Sequence, residues 1–547
     1  MSKRTHADYL ASELKRMGVE RVFCLMGDTN LDFVGALLRH DIALVHGRHE
    51  QGVVAMADGY ARFSGRSVPA VCTVTQAAGL TNTTTSLLTA LNAGSGVLLI
   101  TGDNPENTDE QRFDQAAFCQ AISHNATTIT EPASMHEKVQ TVLTTLASGN
   151  GIGIINMRTQ LWKEPVSTAK QLAYTKTKEL LPPAASLKKA LSLLKGAQRP
   201  VILAGRGAAY SNAEASVIEL AEKLGAPIVT TVPALGFAAG HVSHAGTAGT
   251  IGAGTGSEAL STADCIVAIG TRMSHWTLDE RIVTHKKPVI RIDHDKKAQN
   301  QRDYLLLQGN AATVTATLSR LVPAAHQVPW FSPTPLKKES PIQSNALNPS
   351  TVFARLNDIL PKRRIVVVDA GQNTIFAMRM LQVLHNSDFA WTSDFSAIGQ
   401  GLGVAIGAAF ARPKKRITLI VGDGGFMMSI AELDTIARYN LPITIIVIND
   451  QGFGQERGAL MARSIPAAEA NYPSPNLAAL AGVYGIKGMQ IIDSNDLETL
   501  EQTVKDVSGP LLVDIQTDPT IRTDFGARVA LHRAKRATQI KSSRALL

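Results

Sequence analysis

Apolar residues along this chain fall in short unbroken runs. Each run is followed by a longer stretch whose apolar positions recur at helical spacing. Up to about residue 180 the runs are VFCLM, IALVHG, AVCTVT, GVLLIT and GIGIINM, and the periodic stretches include LDFVGALLRH, QGVVAMADGYARF and TNTTTSLLTALNAG. An unbroken apolar run suits a parallel strand covered on both faces, and the periodic stretches supply the covering helices. The alternation repeats over 185–325 with PVILAG, PIVTTV, CIVAIG and PVIRIDH, and again from RIVVVDAG to LLVDIQTD. Between these two blocks HQVPWFSPTPLKKESPIQSNALNPS, residues 326–350, is rich in Pro, Ser and Lys and reads as a linker. The expected fold is therefore α/β, with three doubly wound parallel-sheet domains over 1–180, 185–325 and 346–520 and a tail over 521–547.

The densest signal lies at 417–454, ITLIVGDGGFMMSIAELDTIARYNLPITIIVINDQGFG. A strand ends at Val421 and runs into Gly422-Asp423-Gly424-Gly425. A helix with apolar positions at Ile430, Leu433, Ile436 and Ala437 is expected next, then the strand ITIIVI and the turn Asn449-Asp450-Gln451. Two polar turns at the ends of successive parallel strands lie at the edge where α/β ligands bind. Gly424 and Gly425 let the backbone approach phosphate oxygens, and the helix start offers unpaired N–H groups. The Asp423 carboxylate, the Asn449 amide oxygen and a backbone carbonyl near Gln451 would supply three oxygen ligands to Mg²⁺, with diphosphate oxygens and water completing an octahedron. Two ordinary turns of a doubly wound sheet would look similar when read singly.

A second carboxylate stands out in RHEQGVVAMADGYARFSG. Glu50 sits at a strand's end before an apolar helix, among Val53, Val54, Ala55 and Met56, a setting that withdraws it from water and suits proton transfer. An acid that simply satisfies a helix N-terminus would occupy the same place. Two glycine stretches are weaker. AGRGAAY (204–210) lacks the third glycine of GxGxxG, and AGTIGAGTGSEAL (248–260) has no clear strand before it, which counts against a nicotinamide-dependent oxidoreductase.

Composition narrows the classes. A chain of 547 residues with 44% apolar and 18% charged residues is expected to form several globular domains. Its four cysteines show no metal-ligand spacing and fit reduced thiols of a cytoplasmic protein. MSKRTHADYLASELKRMG begins an amphipathic helix without a signal-peptide core, and no apolar run approaches the ~20 residues of a membrane span. The net charge of +8 is partly local, with Arg522, Arg528, Arg533, Lys535, Arg536, Lys541 and Arg544 against Asp524. Without interleaved aromatics this cluster does not point to nucleic acid; a solvated helix and a clamp for an anionic ligand both fit it.

GDG-x24-N with AELDTIARYNLP inside it, and RHEQ followed by MADGYAR, resemble motifs of the thiamine-diphosphate (ThDP) enzymes, nearest to the acetolactate synthase branch. The resemblance covers almost the whole chain and implies pyrimidine-binding, central and diphosphate-binding domains in that order. It implies ThDP and Mg²⁺ as cofactors, a small-molecule substrate, and a homodimer or homotetramer in which Glu50 of one chain faces Asp423 of another. Glu50 takes the role of the carboxylate that hydrogen-bonds the cofactor's aminopyrimidine and favours its imino form. Gly371-Gln372-Asn373 corresponds to a diphosphate contact, as do Gly422, Gly424, Gly425, Phe453 and Gly454. Ser396 would hold the aminopyrimidine edge through its backbone, and Ile398 would be the apolar wedge that bends the cofactor. Gly399, Gly401 and Gly403 would let a helix pack closely on the sheet.

Departures from the family pattern cluster where substrate would sit. VTQAAGLTN puts Gln76 where the family has small residues, and RFDQAAFCQAI offers Gln115 as a candidate contact of the reacting groups. His49 precedes Glu50 within reach of substrate. In GTRMSHWTLDER, Arg272 matches the acetolactate synthase run, but Trp276 stands at the position of the arginine that recognises a second 2-oxo acid, leaving Arg281 or another cation as a substitute. GFGQERGALMARS carries Gln455, Glu456 and Ala459 in place of the acceptor-site residues. The resemblance therefore implies decarboxylation and/or carboligation of a 2-oxo acid such as pyruvate. A lyase of a 2-hydroxyacyl-CoA or 2-hydroxy ketone is the alternative, and a silent cofactor-binding paralogue is the non-enzyme one. Members of this branch carry either FAD in a structural role or nothing in the central domain.

Overall fold

The computed structural model describes residues 4–104, 111, 113–149, 151–166, 170–175, 180–252, 255–278, 287–295, 304–323, 328–332 and 347–523. Three sheets of six strands, all parallel, account for the unbroken apolar runs. The first holds β1 (Arg21–Cys24), β2 (Ala43–His46), β3 (Ala70–Val74), β4 (Val97–Asp103), β5 (Ala126–Ile129) and β6 (Ile152–Arg158), in the order β2-β1-β3-β4-β6-β5. The second holds β7 (Pro200–Ala204), β8 (Ile228–Thr230), β9 (His244–Thr247), β10 (Cys265–Ile269), β11 (Val289–Asp293) and β12 (Leu305–Gln308), in the order β12-β11-β10-β7-β8-β9. The third holds β13 (Ile365–Val368), β14 (Phe389–Trp391), β15 (Ile417–Gly422), β16 (Ile443–Asn449), β17 (Lys487–Ile491) and β18 (Leu511–Gln516), in the order β14-β13-β15-β16-β18-β17.

The first and third sheets thus share one topology. The second has the strand order of a dinucleotide-binding fold, with its switch point between β7 and β10. The apolar pattern missed β5, β9, β12, β14 and β17, and every one of them is an edge strand. Edge strands are covered on fewer sides, so they alternate or fray in polarity: β5 and β12, for example, bury only part of their residues. Because β9 exists, the stretch 248–260 does follow a strand, contrary to the reading of its sequence.

Two helices join the outer domains. Glu50–Phe63 and Gly401–Ala411 cross with their backbones in contact, because a Cβ at Gly59 would lie 2.1 Å from the Val404 carbonyl oxygen and one at Gly407 2.0 Å from that of Met56. Of the glycines expected to pack on the sheet, Gly401 does so, facing Leu419 and Asp369, whereas Gly403 meets Ala55 of the N-terminal domain. One apolar core consequently runs from Val53, Met56 and Leu87 through Leu402, Val404 and Ile406 to Phe426 and Ile445.

Within the expected linker, Trp330 packs on the central core and its indole N–H donates to the Pro200 carbonyl at 2.7 Å. From residue 524 onward the basic tail lies outside the described residues, as does Arg281. All four cysteines are buried and free; burial pushes Cys24, Cys119 and Cys265 up to about 12, so these thiols stay protonated. Among the described residues no helix is long and apolar enough to cross a membrane.

Candidate active site

At the C-terminal edge of the third sheet, β15 delivers Gly422 and Asp423 beside the turn that follows β16. Asp423 is buried, and its Oδ2 accepts from the Gly452 N–H at 2.9 Å and the Ser474 hydroxyl at 3.0 Å. Burial, then the nearby charge of Asp450, pushes its carboxyl up to about 6. Asp450 is itself held up by burial and braced by Arg457 at 3.1 Å. Asn449 is also buried; its Nδ2 donates to Asp514 at 2.9 Å, which aims Oδ1 at the turn, where it accepts the Gln451 N–H at 3.1 Å. Gln451 adopts φ +56°, and Gly452 adopts φ +156°, where a Cβ would strike the Ala470 carbonyl oxygen at 2.1 Å.

The turn after β13 completes this half of the site. Gly371, at φ +126°, lies under the Asn373 side chain, whose Oδ1 also approaches Gly422. Asn373 Nδ2 is buried without a hydrogen-bond partner, an arrangement that suits an anionic oxygen arriving from the cavity. Asp369 fixes the opposite wall: it accepts the Thr392 hydroxyl at 2.6 Å and the Gly399 N–H at 2.8 Å, next to Ile398. Space at the two central glycines is spoken for, since a Cβ at Gly424 would meet the Phe453 ring at 2.5 Å and one at Gly425 the Asp369 carboxylate at 2.9 Å. The donor set of one acid, one amide oxygen and turn carbonyls fits a hard divalent cation, whose charge would relieve the Asp423–Asp450 repulsion. Among the described residues no group of three or more His, Cys, Asp or Glu is placed to hold a metal ion.

The expected single helix after the glycine turn is two helices, Asp423–Met427 and Glu432–Arg438. The break makes Glu432 the first residue of the second, and from there its carboxylate reaches the N-terminal domain.

A cavity of about 2290 Å³ holds Gly371, Gln372, Asn373, Ser396, Ile398, Gly422, Asp423, Gly424, Gly425, Phe453 and Gly454 on its wall, together with Trp276 and Gln455. It continues into the central domain, past Arg206 and Gly207 after β7 and Gly270, Thr271 and Arg272 after β10, the switch point of that sheet. Neither Asn449 nor Gln451 lines it, although Asp450 between them does.

Glu50, His49, Gln76 and Gln115 do not line this cavity either. They form a second cluster at the C-terminal edge of the first sheet. Glu50 opens the helix Glu50–Phe63, and its Oε2 accepts from the Asn82 amide at 3.1 Å. His49 is the N-cap, accepting the Gln51 N–H at 3.1 Å through Nδ1, which ties its ring to the helix start. Gln76 is buried; its amide donates to Gln111 and accepts from the Asn104 N–H, both at 2.6 Å. Gln115 is buried too. It accepts the Ala77 N–H at 2.9 Å and donates to the Gly102 carbonyl at 2.8 Å and Asn156 Oδ1 at 2.7 Å, so its amide braces the turn in which Ala77 adopts φ +48°.

Sequence reasoning passed over Ser474, Asp450, Asn82 and Glu432 as site residues. Asp450 was in view beside Asn449; the others are joined to the site only through space.

Family models described as thiamine pyrophosphate enzyme match three successive segments: the N-terminal TPP binding domain over 4–126, the central domain over 187–321 and the C-terminal TPP binding domain over 369–515. The chain is 28% identical over 547 residues to a protein of Methanocaldococcus jannaschii described as "Probable acetolactate synthase large subunit", covering 94% of this chain and 92% of that one. It is 26% identical over 538 residues to acetolactate synthase isozyme 2 large subunit of Escherichia coli, covering 94% and 95%. Among solved structures, a thiamine diphosphate-dependent 4-hydroxybenzoylformate decarboxylase of Rhodococcus jostii superposes with a TM-score of 0.80 at 20% identity, over 94% of this chain and 99% of that one.

Proposed function

The chain belongs to the thiamine pyrophosphate enzymes, in their acetolactate synthase-like branch, and from that premise we propose that it decarboxylates a 2-oxo acid such as pyruvate and passes the product to a proton or a carbonyl acceptor. Bound ThDP supplies the carbon nucleophile and electron sink for breaking or making a bond next to a carbonyl. The chain's own residues hold, orient and protonate.

One observation carries the reading. The buried Asp423 carboxylate, pushed up by burial and by Asp450, faces a cavity wall where Asn373 Nδ2 has no partner. Asp423, Asn449 Oδ1 and a carbonyl at Gln451 would hold Mg²⁺. Asn373, Gln372 and the backbone at Gly424, Gly425, Phe453 and Gly454 would hold the diphosphate oxygens. Ser396, at φ +58°, and Ile398 both line the cavity, where Ile398 would supply the apolar shoulder.

Glu50 is the candidate proton-handling carboxylate. It does not line the cavity of its own chain, which supports a site completed by a second copy, whose Glu50 would meet Asp423 of the first. Gln455 and Trp276, on the cavity wall, are the candidate substrate contacts. Gln76, Gln115 and His49 flank Glu50 and would shape the site from the partner's side, with Gln115 acting through the Ala77 turn.

The arginine-bearing branch of the cavity in the central domain also supports a nucleotide there, FAD or the nucleotide end of a CoA thioester, and the latter would favour the 2-hydroxyacyl lyase reading. Product analysis with a panel of 2-oxo acids, with and without aldehyde acceptors, in ThDP and Mg²⁺, tests the main reading. Release of CO₂ from none of them, with cleavage of a 2-hydroxyacyl thioester instead, would transfer the assignment. Flavin absorbance of the purified protein decides the central domain.

A further inference from the structure

A buried carboxylate sits directly behind the candidate Glu50, contributed by another domain. Glu432 is 1% exposed, does not line the cavity, and its Oε1 accepts two backbone N–H groups, Arg48 at 3.0 Å and His49 at 3.2 Å. These are the residues immediately before the helix Glu50–Phe63. Backbone N–H groups at a helix start have no partner in the helix and must find an acceptor when buried. The Thr435 hydroxyl donates to the other oxygen, Oε2, at 2.7 Å and locks the side chain's orientation.

The N-terminal domain leaves room for this carboxylate. A Cβ at Gly52 would lie 2.2 Å from Glu432 Oε1, and one at Gly47 3.5 Å from it. Glu432 is also the innermost of a set of grips by its segment on the turn after β2. Arg438 donates to the His46 carbonyl at 2.9 Å, the Tyr439 hydroxyl accepts the His46 N–H at 3.1 Å, and Asp434 pairs with Arg48 at 2.7 Å. Of these contacts the Arg48–Asp434 pair is exposed, and such pairs hold little; the Glu432 carboxylate is buried.

We propose that Glu432 is a positioning residue for Glu50: its carboxylate, reaching across from the C-terminal domain, fixes the backbone from which the Glu50 side chain projects. The inference rests on Glu50 being the carboxylate that acts on the cofactor. What matters is the acceptor geometry at Oε1, so an amide oxygen at the same place should serve, whereas a side chain one methylene shorter should not.

The test uses the full chain loaded with ThDP and Mg²⁺ and reads two quantities besides turnover: the affinity for Mg²⁺ and ThDP by calorimetry, and the rate at which the acidic thiazolium C–H of bound ThDP exchanges with deuterium. Glu432→Gln should leave the exchange rate within about threefold of wild type, because its amide oxygen still accepts both N–H groups. Glu432→Asp should slow exchange about 10–100-fold, the usual cost of removing a residue that orients a functional ligand, while cofactor affinity holds. Gly52→Ala supplies a second route. Its methyl would collide with Glu432 Oε1 at a position where alanine favours the helix, so it should fold and reproduce the loss.

Adding Glu432→Asp to Glu50→Gln should slow exchange no further than Glu50→Gln alone, since two residues acting through one path are not additive. Wild-type exchange in both Glu432→Asp and Gly52→Ala overturns the proposal. So does a further fall in the double variant, or a loss of cofactor affinity that matches the loss of exchange. Should Glu432→Asp fail to fold, Gly52→Ala decides alone. If Glu50→Gln itself exchanges at the wild-type rate, the role given to Glu50 falls and takes this inference with it, an outcome distinct from the others.

Discussion

Arg62, on the helix Glu50–Phe63, donates to the Asp394 carboxylate at 3.2 Å, and this bond ties the N-terminal domain to the turn that presents Ser396 and Ile398. The other oxygen of Asp394 pairs with Arg206 of the central domain at 2.6 Å, and Arg62 also holds Asp58 at 2.8 Å. One buried carboxylate therefore joins all three domains beside the candidate cofactor wall. Asp394→Ala leaves buried Arg62 with Asp58 and removes this ion-pair partner from Arg206, which lines the cavity, so the cost should fall below the about 3–5 kcal/mol of a buried charge left wholly unpaired. A lower denaturant midpoint together with weaker ThDP binding is expected; an unchanged midpoint would mean that water replaces the carboxylate without penalty.

Glu50→Gln should lower turnover by about 10²–10⁴-fold, the range for removing a group that moves a proton, while Mg²⁺ and ThDP still bind. Steady-state rates and calorimetry on the same preparation separate the two effects. Retained turnover would remove Glu50 from the chemistry.

Because Glu50 lies outside the cavity that holds Asp423 within one chain, mixed assemblies should show complementation. Glu50→Gln and Asp423→Ala chains, each inactive alone, should recover about a quarter of wild-type activity when dissociated together and reassembled, since half of random two-fold dimers are mixed and each carries one intact site. An active monomer in sedimentation, or no recovery on mixing, would place the whole site within a single chain.

The pH dependence of cofactor binding follows from Asp423. In the ligand-free fold its carboxyl titrates at about 6 instead of 3.8, through burial first and Asp450 second. Between those values the folded chain holds a proton that the unfolded chain has lost, so stability of the free protein falls as pH rises across that window. A cation needs the ionised carboxylate. The rise in melting temperature on adding Mg²⁺ and ThDP should therefore be small at about pH 5 and large at about pH 7.5. Asp423→Asn should remove most of that pH dependence, as read by scanning calorimetry.

What the sequence determined by itself was local. Unbroken runs such as ITIIVI must be buried on both faces, which marks the central strands, and the Gly422–Gly425 turn beside Asn449 marks where two strand ends would meet a ligand. Edge strands such as β9 and β17 escaped notice because their exposed sides do not demand apolar residues. The tertiary structure alone decided which side chains meet. Glu432 and His49 are far apart in sequence, as are Arg62 and Asp394, and such pairs leave no periodic trace, because a hydrogen bond constrains two positions and nothing between them. Only the fold could turn Gln115 from an apparent pocket residue into a brace for Ala77. Likewise only the fold brings Gly59 onto the Val404 carbonyl, where two helices pressed together at their backbones fix how the N- and C-terminal domains face one another.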